Sequence, residues 1–156
     1  MHEKFQILVE RLHEKYETLM QSEPLLANKL PPKERGAGVY TFSENGKVIY
    51  VGRTNNVKGR FKQHTADSSK HNQAALAYKF AKQLLNIPKP TYKADEFSRD
   101  SLMLNAEFVG TFLAQKRRLR ELEFRFVEEN DPTRQALLEV YVSEVCESPN
   151  NDFDNH

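Results

Sequence analysis

The chain has 156 residues, 38% of them hydrophobic, and a formal net charge of +1, which suffices for one domain and excludes a uniformly basic coat as the means of holding a polyanion. No apolar run approaches the roughly 20 residues of a membrane span, and a single cysteine, Cys146, excludes an intrachain disulfide or a thiolate zinc site. The charged N-terminus, with Glu3, Glu10 and Arg11, is not a signal peptide, so a reducing cytoplasm is the expected compartment.

Charge is unevenly spread. Lys47, Arg53, Lys58, Arg60 and Lys62 follow one another with no acid between them, whereas the stretch from Glu128 to Asp154 has Arg134 as its only Lys or Arg. In chain order, residues 3–20 read as an amphipathic helix, with Phe5, Leu8, Val9, Leu12, Tyr16 and Leu19 on one face. Pro24, Pro31 and Pro32 mark a linker up to Gly36, so residues 1–35 are expected to form an N-terminal extension and residues 36–156 the main domain. Residues 38–52 read as a β-hairpin turning at Asn45-Gly46. A two-residue loop would pair Tyr50 with Thr41 and send Tyr40 and Tyr50 to opposite faces. A three-residue loop, Glu44-Asn45-Gly46, pairs Tyr40 with Tyr50 on one face, and this register is the one expected.

Residues 55–66 read as a helix capped by Asn55 or Asn56, which puts Arg60 and His64 on one face. Gly59 inside it costs roughly 1 kcal/mol against alanine, offset either by close approach of a phosphate backbone or simply tolerated near the first turn. Residues 72–86 form a helix with Ala77, Phe80, Ala81 and Leu84 as its stripe, ended by Pro88 and Pro90. A loop follows over 87–100, then a helix over 101–119 with Phe108, Phe112 and Leu119 inward. Lys116, Arg117, Arg118 and Arg120 near its end suit the helix dipole. Alternation at Leu122, Phe124 and Phe126 gives a third strand. Asp131-Pro132 starts a last helix running to about Cys146. Its apolar residues occupy nearly the whole circumference, which predicts deep burial. The tail is polar except for Phe153, the residue expected to anchor it.

Glu139, on that last helix, needs a partner: a cation such as Arg60 or a nearby lysine, or a divalent metal. Mg2+ retains several waters and often takes only one or two protein carboxylates, so a single glutamate suffices. Tyr40 and Tyr50 lie ten positions apart and Arg60 ten beyond. Together with His64 and Glu139 they supply what phosphodiester hydrolysis uses. Arg60 binds a nonbridging oxygen. Tyr40, its pKa lowered by cations, or His64 serves as general base. Tyr50 orients phosphate or water, and a Glu139-bound ion polarises the phosphate. Lys47, Arg53, Lys58 and Lys62 are the expected phosphate contacts, which make affinity fall with salt.

Gly38-Val39-Tyr40, Tyr50-Val51-Gly52, Arg60 and His64 together resemble the GIY-YIG nuclease family. The resemblance extends to Glu139 as the glutamate that binds the divalent metal and to Asn151, twelve positions on, as the asparagine that closes the motif. It implies an α+β fold, a small three-stranded antiparallel sheet flanked by helices, here with an N-terminal helix and a helical insertion over about 70–119. It also implies metal-dependent cleavage of DNA, with Mg2+ or Mn2+, leaving a 5′-phosphate and a 3′-hydroxyl. The alternative is a catalytically inactive nucleic-acid-binding module of the same fold. RNA as substrate stays open, because these residues address phosphate rather than sugar. Cutting both strands needs two active sites, so double-strand cleavage would favour a homodimer.

Overall fold

The computed structural model describes residues 1–88 and 97–153. Pro90, most of the expected 87–100 loop and the last residues of the tail lie outside the described residues. The chain divides into two compact units, Met1–Arg60 with Leu122–His156, and Phe61–Glu121.

The first unit contains α1 (Glu3–Gln21), β1 (Gly38–Glu44), β2 (Lys47–Thr54), the start of α2 (Val57–Thr65), β3 (Glu123–Glu128) and α6 (Pro132–Val145). The strands make one antiparallel sheet in the order β2-β1-β3. This is the α+β architecture expected from the motifs. Period-two alternation gives the sheet two different faces. Val39, Val48, Val51 and Val127 pack with Leu12 and Leu19 of α1 and with Leu138 and Val142 of α6. Tyr40 and Phe42 point the other way and pack with Phe124, at ring-centroid distances of 5.3 and 5.0 Å to that ring. The helical stripe of α1 holds as read, except that Phe5 in its first turn is exposed. Both sheet edges are covered, which suppresses strand addition by another chain. Leu25 of the linker donates its N–H to Phe124 O on β3, and Asn150 and Asn151 cover β2.

The hairpin register differs from the expected one. Glu44 pairs with Lys47, so the loop is the two-residue Asn45-Gly46 turn, both residues having positive φ. Tyr40 pairs with Gly52, and Tyr50 pairs with Phe42. The pairing slips at Phe42/Ser43, where a β-bulge leaves Ile49 between paired neighbours. One extra residue reverses the direction of every later side chain in β2. Tyr50 therefore shares a face with Phe42 and Tyr40 after all, through a bulge rather than a longer loop.

The last helix is also different from its reading. Asp131 caps it as expected, its carboxylate accepting the Arg134 N–H at 2.9 Å, with Pro132 in the first turn. It is not deeply buried all round. Gln135, Leu138, Val142 and Ser143 are buried, while Val140 is 42% exposed. The helix packs through one stripe, and Glu139 stands at its margin.

The second unit holds the rest of α2 with α3 (Ala75–Leu84), α4 (Arg99–Leu102) and α5 (Ala106–Glu121). The helix expected over 101–119 is split. Asn105 accepts the Phe108 N–H at 3.0 Å and so caps a new helix. Ala77, Phe80 and Ala81 of α3 are buried as expected, but Leu84 is exposed. Tyr78 meets Phe108 edge-on at 5.3 Å.

The helix dipole is not what explains the basic run of α5. Lys116 is buried, and its Nζ donates to Asp67 O at 2.7 Å and to Ser69 O at 2.8 Å. Arg120 donates to Thr65 O and Asp67 Oδ1, and Arg117 to Asp67 Oδ2. Three cations thus clamp the turn after α2. Burial pulls the Lys116 ammonium below its ordinary value, and Asp67 opposes this. Lys116→Met keeps the length and strands two carbonyls. It is expected to cost about 2–3 kcal/mol in urea unfolding; an unchanged midpoint would show that the clamp carries no stability.

Candidate active site

The site is built on the aromatic face of the sheet and on the edge strand β2. Tyr40 is 1% exposed, and its ring lies across Gly52 on the neighbouring strand. A Cβ at Gly52 would come within 2.4 Å of Tyr40 Cζ and Oη, so only glycine permits this approach. Phe124 supports the ring from β3. The Tyr40 and Tyr50 ring centroids are 6.2 Å apart, and their hydroxyls are hydrogen-bonded.

Arg60 is delivered by α2. Val57 at its start donates its N–H to Gly36 O, just before β1, at 2.9 Å. Asn56 is the cap, accepting the Gly59 N–H at 3.1 Å. A Cβ at Gly59 would lie 2.6 Å from the Asn56 amide nitrogen, so this glycine makes room for the capping side chain and needs no phosphate to explain it. Arg60 Nε donates to Tyr40 Oη at 3.3 Å and is also an electrostatic neighbour of Tyr50.

Glu139 reaches the same group from α6, where its carboxylate acts electrostatically on the Tyr50 phenol. Among the described residues its ion-pair partner is Arg53, not Arg60 or a lysine. Arg53 Nε donates to Glu139 Oε2 at 3.1 Å, with side chains 48% and 17% exposed respectively. Arg53 lies opposite Val39 and so belongs to the sheet face that α6 covers. Strand alternation from Val51 would have pointed to it. Burial raises the Glu139 carboxyl above the ordinary carboxylate range, and Arg53 opposes that rise.

Asn151 uses both ends of its amide on one residue of β2. Val51 N–H donates to its Oδ1 at 3.0 Å, and its Nδ2 donates to Val51 O at 2.7 Å. Asn150 Nδ2 donates to Ile49 O at the bulge. The two amides stand where a fourth strand would pair, and they fix the stretch that carries Tyr50. Nothing local in the chain marks Asn150 for this duty.

The structure thus gathers Tyr40, Tyr50 and Arg60 on the aromatic side, with Glu139 acting on Tyr50 from α6 and pairing with Arg53 of the opposite face, and Asn151 on the adjoining backbone. Lys47 sits at the turn end of β2, six residues or about 20 Å of strand from Arg53. Lys58 is exposed on α2. Lys62 is exposed and His64 fully buried; both belong to the second unit.

Neither phenol is poised to ionise. Burial drives Tyr40 far above the ordinary tyrosine value and outweighs Arg60, which acts in the opposite direction. Tyr50 is raised as well, by burial first and by Glu139, again against Arg60. The lowered Tyr40 pKa expected from nearby cations is therefore not found. The sign for stability follows. The folded protein keeps these protons after the unfolded chain has released them, so their contribution is complete below about pH 10 and is lost as pH rises beyond it. Urea unfolding is expected to show falling stability above about pH 10, with a smaller fall in Tyr40→Phe. A profile that Tyr40→Phe leaves unchanged would contradict the burial of a neutral phenol.

Among the described residues no three His, Cys, Asp or Glu side chains converge on one point. A carboxylate cage is therefore absent from them. One hard carboxylate oxygen at the margin of a polar cluster fits an ion that keeps most of its own waters, as Mg2+ does.

A phenol pair on a three-stranded antiparallel sheet, a guanidinium on α2 and a carboxylate on α6 define the class as a small α+β domain with a polar cluster at one edge of its sheet. The family model of the GIY-YIG catalytic domain matches residues 37–97, and with that match the resemblance carried by the two motifs and Arg60 is shown. The match stops short of α6, so Glu139 and Asn151 join the site through geometry alone. No curated protein matches the chain, and no solved structure does. No helix among the described residues is long and apolar enough to cross a membrane.

Proposed function

We propose that the protein is a metal-dependent endonuclease that hydrolyses DNA phosphodiester bonds, leaving a 5′-phosphate and a 3′-hydroxyl. The observation that carries this reading is the single cluster in which Arg60 donates to Tyr40 while Tyr50 feels both Arg60 and Glu139.

Arg60 takes a nonbridging phosphate oxygen and neutralises the charge that grows there, since a guanidinium stays protonated throughout. Tyr40, held neutral by burial, fixes Arg60 and acts as a hydrogen-bonding group rather than as a base in the resting protein. Tyr50 orients phosphate or water. Glu139 would hold Mg2+, or Mn2+ in its place, and the bound ion would supply polarisation of the phosphate and acidification of water. Asn151 holds the strand that carries Tyr50 and is a positioning residue. Arg53 and Lys58 contact flanking phosphates, with Lys47 further along the duplex. His64, the other candidate for general base, is fully buried and belongs to the second unit.

The product chemistry is tested by sealing. Nicks made in supercoiled plasmid in the presence of Mg2+ are expected to be closed by DNA ligase with no kinase or phosphatase step. Nicks that need end repair before ligation would refute the assigned bond cleavage.

A further inference from the structure

We propose that Arg53 is a latch on the metal ligand, an inference that rests on the nuclease reading and on Glu139 as ligand. Among the described residues Arg53 is the hydrogen-bond partner of the Glu139 carboxylate, through Nε at 3.1 Å. Among the described residues Arg53 is the charged neighbour that acts on this carboxylate, which in turn acts on the neutral Tyr50 phenol. A guanidinium therefore holds one oxygen of the carboxylate that an incoming dication has to share.

Two cations on one carboxylate repel each other, so Arg53 and a divalent ion compete for it. The two partners differ in freedom. Glu139 is largely covered and held on a helix, whereas Arg53 is half exposed on the edge strand at the end of a long stem. Arg53 is the one that moves. Once displaced, it is a cation beside the scissile region with no partner, and a DNA phosphate is the group that suits it. Binding of metal and of DNA are then coupled through one side chain. Either ligand frees or captures Arg53 to the advantage of the other, and the coupling is reciprocal. In the absence of DNA the carboxylate stays neutralised and the metal is held weakly.

Mn2+ alone is the probe, titrated into the full chain and followed by the paramagnetic resonance signal of the free ion, with no DNA present. Arg53→Gln is expected to bind Mn2+ about tenfold more tightly than the unaltered protein, within the usual range of coupling between two sites. Arg53→Lys, which keeps the charge, is expected to stay near the unaltered affinity, and Glu139→Gln to lose saturable binding. If Arg53→Gln binds no more tightly while Glu139→Gln loses the ion, the latch is overturned and the metal ligand stands. If Glu139→Gln binds Mn2+ as well as the unaltered protein, or if none of the proteins binds it, Glu139 is not the ligand and the latch falls with it. Matching thermal unfolding of Arg53→Gln and the unaltered chain shows that the comparison is between folded proteins.

Discussion

Glu139→Gln is expected to lower Mg2+-dependent nicking of supercoiled plasmid by about 10²–10³-fold, the size of loss seen when one group that stabilises transition-state charge is removed. The same variant is expected to unfold within about 2 °C of the unaltered protein. The contrast follows from the geometry. Glutamine keeps the volume of the side chain and removes only its charge. Burial already disfavours the charged carboxylate, so neutralising it relieves a desolvation cost. The abandoned Arg53 is half exposed and is solvated by water, and an ion pair with one such open partner contributes little. A residue with so small a structural debt and so large a kinetic effect acts in the chemistry. An unchanged nicking rate in Glu139→Gln would remove it from the site.

Gly52→Ala is expected to cost about 10²-fold in activity, the penalty of displacing a reacting arrangement by about 1 Å. Destabilisation of about 1–3 kcal/mol from overpacking should accompany it. The added methyl would stand 2.4 Å from the end of the Tyr40 ring. That ring has no easy retreat, because Phe124 packs on it and Tyr40 itself is buried. The phenol must move, and with it the oxygen that holds Arg60 Nε. Gly46→Ala is the comparison. It sits in the turn at a positive φ with nothing within 4 Å, so it should lose about 1 kcal/mol of stability and keep its activity. Equal activity in both variants would show that the Tyr40–Gly52 contact does not matter for function.

Much of this was legible in the chain. Period-two and period-3.6 patterns placed the three strands and the long helices, because each element has one face that must be dry. Asp131-Pro132 marked the start of α6 because capping is local chemistry. The two tyrosines, Arg60 and Glu139 could be named from residue type and spacing. What could not be read depended on residues distant in sequence. The bulge at Ile49 has no local signature; Asn150 and the pairing of β1 with β2 hold it. The partner of Glu139 was open because several cations were available and only the packing of α6 on one sheet face selects Arg53. The apolar circumference of α6 overstated its burial because neighbours cover one side alone. The basic end of α5 looked like dipole compensation until Asp67, some fifty residues earlier, was seen to receive it.

The central claim is that the first unit's cluster cuts phosphodiester bonds. Purified protein incubated with supercoiled plasmid tests it most directly, with Mg2+, with Mn2+ and with excess chelator, beside Arg60→Ala. The expected result is conversion to open-circular or linear DNA with either metal, none with chelator, and little with Arg60→Ala. Plasmid that stays supercoiled with both metals, or that is cut equally well by Arg60→Ala, would contradict the assignment.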